Sequence, residues 1–115
     1  MDFTQLGEFD KELKRLLKKY HSLNQDLDLL KDYLKLYPRG NPPRIFQINN
    51  LGIKTEIFKV KQFRCQSMKG KGSLSGIRIV YAFFQSEIKI EFVEIYYKEK
   101  DDTECNKKRI LRHYS

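Results

Sequence analysis

The 115-residue chain has no tryptophan, two histidines, two cysteines and three prolines. Each scarcity excludes something. Cys65 and Cys105 are too few for a disulfide framework and show no C-x-x-C spacing, so both are expected to stay reduced. With only His21 and His113 beside them, no zinc-ligand pattern can be assembled. No stretch approaches the roughly 20 apolar residues of a membrane span. The N-terminus, MDFTQLGEFDKELK, lacks the basic-then-apolar order of a signal peptide, so the expected location is cytoplasmic. The length leaves room for one core, and one domain over 1–115 is the expected organisation. No Ser-His-Asp or Cys-His arrangement can be argued from spacing, so nucleophilic catalysis by a protein side chain is unsupported.

Acidic residues are missing from one region in particular. Residues 1–58 hold ten basic and eight acidic side chains, whereas 59–86 hold Lys59, Lys61, Arg64, Lys69, Lys71 and Arg78 and no acidic residue. The formal net charge of +8 owes much to that segment. A single-sign run suits a phosphate-facing surface, and it equally suits a merely solvated one.

Hydrophobic periodicity divides the chain into a helical third and a β-rich remainder. Phe9, Leu13, Leu16, Leu17 and Tyr20 recur at helical spacing, and so do Leu23, Leu27, Leu30 and Leu34. Ser22-Leu23-Asn24-Gln25 reads as a capping box that starts the second helix, which makes a helical hairpin. Tyr37 to Pro43 holds all three prolines and must be a turn; Arg44 to Gly52 reads as a short apolar connector. Period-two alternation then predicts strands near Glu56–Cys65, Gly76–Gln85 and Glu87–Tyr97. Met1–Leu6 is a candidate edge strand. Asp101–Glu104 offers capping groups for a short C-terminal helix containing Ile110, Leu111 and Tyr114. The expected class is α+β: an N-terminal helical hairpin on an antiparallel sheet of three to four strands, with a short terminal helix.

Two features carry potential chemistry. Glycines 70, 72 and 76 allow positive φ in a loop that presents Lys69 and Lys71, either as a loose phosphate cradle or as a flexible hairpin loop. It is no Walker loop, since G-x-x-x-x-G-K-[ST] is absent. Arg78 lies mid-strand, where a guanidinium must snorkel, line a wet concave face, or pair with a carboxylate such as Glu91 or Glu94.

The order of segments, the strand Ser75-Gly76-Ile77-Arg78-Ile79-Val80-Tyr81 and the closing strand Ile90–Lys98 together resemble the RelE/ParE superfamily of bacterial and archaeal toxins. The resemblance covers most of the chain and is most specific in G-x-R-x-x-Y. It implies a toxin of a toxin-antitoxin system, a ribosome-dependent endoribonuclease acting on messenger RNA without metal or other cofactor. Its partners would be a cognate antitoxin, the ribosome and messenger RNA, and the chain would be a monomer or a heterocomplex with the antitoxin. The implied catalytic set is Arg78, Lys69, Lys71, His113 and Tyr114, with Lys61, Arg64, Tyr97 and Lys98 binding RNA. Arg78 and the lysines would grip phosphate oxygens, His113 would carry a proton, and Tyr97 or Tyr114 would stack on a base or orient the nucleophile. Tyr81 alternates with core residues and is expected to pack. Many members place an arginine and a tyrosine after the last strand, where this chain has Lys98, Lys100, Asp101, Asp102 and Cys105. Two other readings therefore stand beside the nuclease: a ParE-type inhibitor of DNA gyrase, and a degenerate member that only binds nucleic acid or a partner.

Overall fold

The computed structural model describes residues 1–98 and 105–115. Strand β1 (Asp2–Gln5) leads into α1 (Gly7–Leu17) and α2 (Leu23–Leu36). Strands β2 (Ile45–Ile48), β3 (Glu56–Val60), β4 (Ile77–Phe84) and β5 (Lys89–Tyr97) follow, and α3 (Lys107–Tyr114) ends the chain. They form one sheet in the order β1-β5-β4-β3-β2. The α+β class is as expected, but the sheet has five strands and is not wholly antiparallel. β1 joins β5 in parallel, because the helical hairpin separates it from the antiparallel β2–β5 run and returns the chain to the opposite edge.

The unexpected strand is β2, cut from the segment read as a connector. Its four residues pair from Ile45↔Val60 to Ile48↔Ile57. Four residues are too short a run for alternation to announce a strand; the pairing decides it. The reverse happens in β3, which ends at Val60 and not at Cys65. Lys61 and Gln62 both donate backbone N–H groups to the Arg44 carbonyl, which turns the chain out of the ladder. Phe63 and Cys65 remain buried, so the apolar alternation continues beyond the ladder, with only an isolated bridge between Phe63 and Leu74.

Alternation along β4 sorts the core into two layers. Ile77, Ile79, Tyr81 and Phe83 pack with Phe9, Leu13, Leu27 and Leu30 of the helical hairpin. Val80 and Ala82 pack on the other side with Val93, Cys105 and Ile110, under α3. Tyr81 is wholly buried and its hydroxyl donates to the Pro38 carbonyl at 2.8 Å, so it is a core residue whose polar end has a partner. The β4–β5 register shifts between Val80 and Tyr81, where Val80 pairs with Glu94 and Tyr81 with Phe92. Val93 is the extra residue of that bulge, and both Val93 and Glu94 serve the α3 side.

Two capping expectations change. α2 starts after Ser22 as the periodicity requires, yet the Ser22 side chain makes no cap hydrogen bond. Its Oγ donates to Asp26 Oδ2 at 2.7 Å and accepts from Ser67 N at 2.8 Å. Buried Asp26 also accepts from Gln66 N, at 3.2 Å. The serine thus ties the segment after β3 to the helix, a long-range use that overrides local capping chemistry. For α3 the cap is Asn106, whose side chain accepts from Arg109 N at 3.0 Å; the proposed cap residues Asp101–Glu104 lie outside the described residues.

Candidate nucleic-acid interface

Because Ile77 and Ile79 face the helical hairpin, Arg78 faces the opposite side of the sheet, at the start of β4. Its Nη1 donates to the Lys61 carbonyl at 2.7 Å. Neither carboxylate proposed as its partner is there. Glu91 accepts from the Tyr114 hydroxyl at 2.7 Å and from Thr4 Oγ1 at 3.1 Å. Glu94 accepts from Asn106 N at 2.9 Å, and burial pushes its carboxyl above the usual range. Among the described residues no carboxylate forms a salt bridge with Arg78, which is half-buried.

Cross-strand registry gathers further groups beside it. Arg78 pairs with Tyr96, and Phe46 of β2 pairs with Lys59 of β3. The Lys61 ammonium lies 5.1 Å from the centre of the Phe46 ring. Lys98 follows β5 directly, and its N–H donates to the Gly76 carbonyl at 2.8 Å, two residues before Arg78. Arg78, Lys61, Lys98 and the aromatic Phe46 therefore form one cationic end of the sheet. Phe46 was not singled out in the sequence, and Ile45-Phe46-Gln47-Ile48, with two adjacent apolar residues, carries no period-two signal that could have found it.

The loop entering β4 is shaped as its glycines suggest. Gly70, Gly72 and Gly76 have φ of +81°, +56° and +85°, and Lys69 and Lys71 are exposed. Buried Ser75 anchors the loop: its Oγ donates to the Phe63 carbonyl at 2.5 Å and accepts from Ile77 N at 3.1 Å. The loop's lysines thus hang from a fixed stem that ends at Arg78.

Other members of the sequence-derived set are elsewhere. Tyr97 is on the helical side, its ring 6.3 Å from that of Tyr20. Arg64 lines a cavity of about 340 Å³ beside α2, together with Asp26, Leu29, Arg44 and Phe63. Tyr114 packs against Phe84, at 6.0 Å between rings, and Phe84 is six residues along β4 from Arg78, about 20 Å at strand rise. Burial and the neighbouring Glu91 raise the Tyr114 phenol well above its ordinary pKa. His113 Nε2 is 3.2 Å from Glu8 Oε2, and that hydrogen bond holds the Glu8 carboxyl below the usual range. The expected grouping of His113 and Tyr114 with Arg78 does not occur, because α3 lays its C-terminal end over the far end of β4. Among the described residues no three His, Cys, Asp or Glu side chains gather as a metal site.

No protein-family model and no curated protein matches the chain. The fold is nevertheless shared with solved structures. A chain of the archaeal RelE-RelB complex from Pyrococcus horikoshii OT3 superposes with a TM-score of 0.58 at 12% identity, covering 86% of this chain and 96% of that one. The fold is RelE-like, as the G-x-R-x-x-Y strand led us to expect.

Proposed function

We propose that the chain is the toxin of a toxin-antitoxin system and cleaves messenger RNA on the translating ribosome. The observation that carries this reading is Arg78: a half-buried guanidinium with no acidic partner among the described residues, set beside Lys61, Lys98 and the Lys69–Lys71 loop. Attack of a ribose 2′-hydroxyl on its own phosphate builds negative charge on the non-bridging oxygens. Fixed cations stabilise that charge, and the planar fork of arginine is shaped to hold two phosphate oxygens. Phe46 supplies a flat apolar surface for a base next to the cations. Among the described residues no histidine lies beside Arg78, so proton transfer falls to water or to groups that the ribosome and the RNA bring. That fits an enzyme whose activity depends on the ribosome. An antitoxin segment that neutralises the protein would cover Arg78 and the Lys69–Lys71 loop, in keeping with the RelE-RelB pairing named for the structural relative.

Arg78→Ala is expected to abolish growth arrest and messenger cleavage while circular dichroism stays unchanged, since no buried apolar contact is removed. Lys69→Ala and Lys71→Ala each cost less. Primer extension on messenger RNA after induction reads the cuts. A folded Arg78→Ala protein that cleaves like the wild type would refute the site. The distance of His113 and Tyr114 from Arg78 favours a second reading, a member that binds RNA without cutting it. Strong RNA binding with no cleavage would establish that one, and growth arrest without cleavage would point to a gyrase inhibitor.

A further inference from the structure

The cavity of about 340 Å³ lies between α2 and the segment that leaves β3, on the helical side of the sheet and away from Arg78. Its size is at the small end of the ~300–1,000 Å³ range of ligand pockets, which suits a metabolite-sized molecule. Leu29, Leu30 and Phe63 give it an apolar wall, and Arg44 and Arg64 bring two cations to it. Arg44 is half-buried and held at two points. Its carbonyl accepts the N–H groups of Lys61 and Gln62 at 2.9 and 3.2 Å, and its guanidinium stands 4.4 Å from the centre of the Tyr33 ring. The ring engages the charge but satisfies none of the N–H donors. Among the described residues neither Arg44 nor Arg64 donates a side-chain hydrogen bond or forms a salt bridge. Asp26, also in the lining, is 2% exposed and already accepts from Gln66 N and the Ser22 hydroxyl. Two arginines against one aspartate leave the cavity one positive charge.

We propose that this cavity binds a small organic monoanion, with a carboxylate on Arg44 and Arg64 and an apolar or aromatic body against Leu29, Leu30 and Phe63. The planar fork of a guanidinium matches the two oxygens of a carboxylate. One surplus positive charge suits one negative charge. A second is penalised by the Asp26 carboxylate, which disfavours a phosphate dianion and, still more, a nucleic-acid backbone. The body of the ligand covers Leu29, a large apolar side chain that is 59% exposed in the free protein. The site is on the opposite face of the sheet from Arg78, and the inference does not depend on the nuclease reading.

Proton–nitrogen correlation NMR of the isotopically labelled chain, titrated with phenylacetate, tests it. Saturable shifts are expected at the amides of Leu29, Leu30, Arg44 and Gln66, with a Kd of about 1 mM or lower, a strength within reach of a ligand this small. Phenylacetamide has the same shape without the charge, and inorganic phosphate has charge without the body; each is expected to bind at least about tenfold more weakly. Arg64→Gln alters an exposed side chain, so the variant folds, and Arg44→Lys keeps a cation near Tyr33 while removing the fork. Each is expected to weaken phenylacetate about tenfold with the rest of the amide spectrum preserved. Lys89→Ala, on a distant strand, leaves binding unchanged. Absence of saturation by about 10 mM, roughly ten times the expected Kd, would overturn the proposal. So would shifts centred away from the cavity, equal binding of phenylacetamide, or wild-type affinity in both arginine variants. Tighter binding of inorganic phosphate than of phenylacetate would overturn it too, and would assign the two arginines to a phosphate.

Discussion

Gly76 shows how one missing side chain holds the cationic end of the sheet together. Its φ is +85°, and a Cβ there would come within 2.9 Å of Tyr97 Cε1. Its carbonyl meanwhile holds Lys98 N, so backbone shape, ring packing and the position of Lys98 all meet at this residue. Gly76→Val is expected to cost roughly 3 kcal/mol, from left-handed strain of ~1–2 kcal/mol and overpacking of ~1–3 kcal/mol. Gly72→Ala is expected to cost only ~1 kcal/mol, because at φ +56° the strain is present but no atom lies near the new methyl. Urea denaturation of both variants checks the contrast; equal losses would mean that Tyr97 moves aside freely. Arg78 could be picked out at this same scale from the sequence, as a charge interrupting an apolar strand. That no carboxylate among the described residues pairs with it could not, because Glu91 and Glu94 stand on the neighbouring strand and only the bulge and α3 decide where those two carboxylates go.

At the scale of elements, α3 is a short, highly charged helix held largely by polar contacts. Arg109 grips Glu12 through both terminal nitrogens at 2.9 Å and also donates to the Val93 carbonyl. Glu94 receives Asn106 N at the helix start. Burial raises the Glu94 carboxyl above its ordinary value, with backbone donation by Asn106 only partly opposing it. A carboxyl whose pKa is raised by folding favours the folded state while protonated and opposes it once ionised. Below the usual carboxylate range, therefore, Glu94→Gln should be no more stable than wild type. Above the raised value it should melt higher, since glutamine keeps the acceptor for Asn106 without a buried charge. Thermal melts from acid to neutral pH test this, and a difference independent of pH would show that Glu94 ionises freely. Arg109 and Glu12 are 97 positions apart, and no local pattern in the sequence pairs them. Nor does any pattern reveal β2, which exists because β3 offers it a ladder.

Across the whole molecule, the sheet separates two surfaces: cations on one side at the start of β4, and the cavity of Arg44 and Arg64 beside α2 on the other. If RNA engages Arg78, Lys61, Lys98 and the two loop lysines, neutralising about five phosphates predicts a slope of log affinity against log salt near about −3.5, at ~0.7 per single-strand phosphate. Arg78→Ala should flatten it by about 0.7. Filter binding across a salt series measures both, and an affinity indifferent to salt would remove the phosphate-binding reading. No described helix is long and apolar enough to cross a membrane.

Periodicity by itself determined the helical hairpin, the strands β3, β4 and β5 to within a few residues, the two faces of β4 and the glycine-shaped loop before it. These depend on neighbours a few residues apart, and a one-dimensional pattern records such neighbours. Tertiary structure decided the rest. It placed β1 parallel to β5, made β2 from an apolar connector, and diverted Ser22 from capping to Ser67. It moved Arg64 to the cavity beside α2 and put His113 and Tyr114 at the far end of β4, away from Arg78. Most of these outcomes depend on partners tens of positions away, 45 for Ser22 and Ser67 and 105 for His113 and Glu8, and β2 depends on a strand 9 to 15 positions further on. Side-chain type tells which chemistry a residue can perform, but only the path of the chain decides which residues meet.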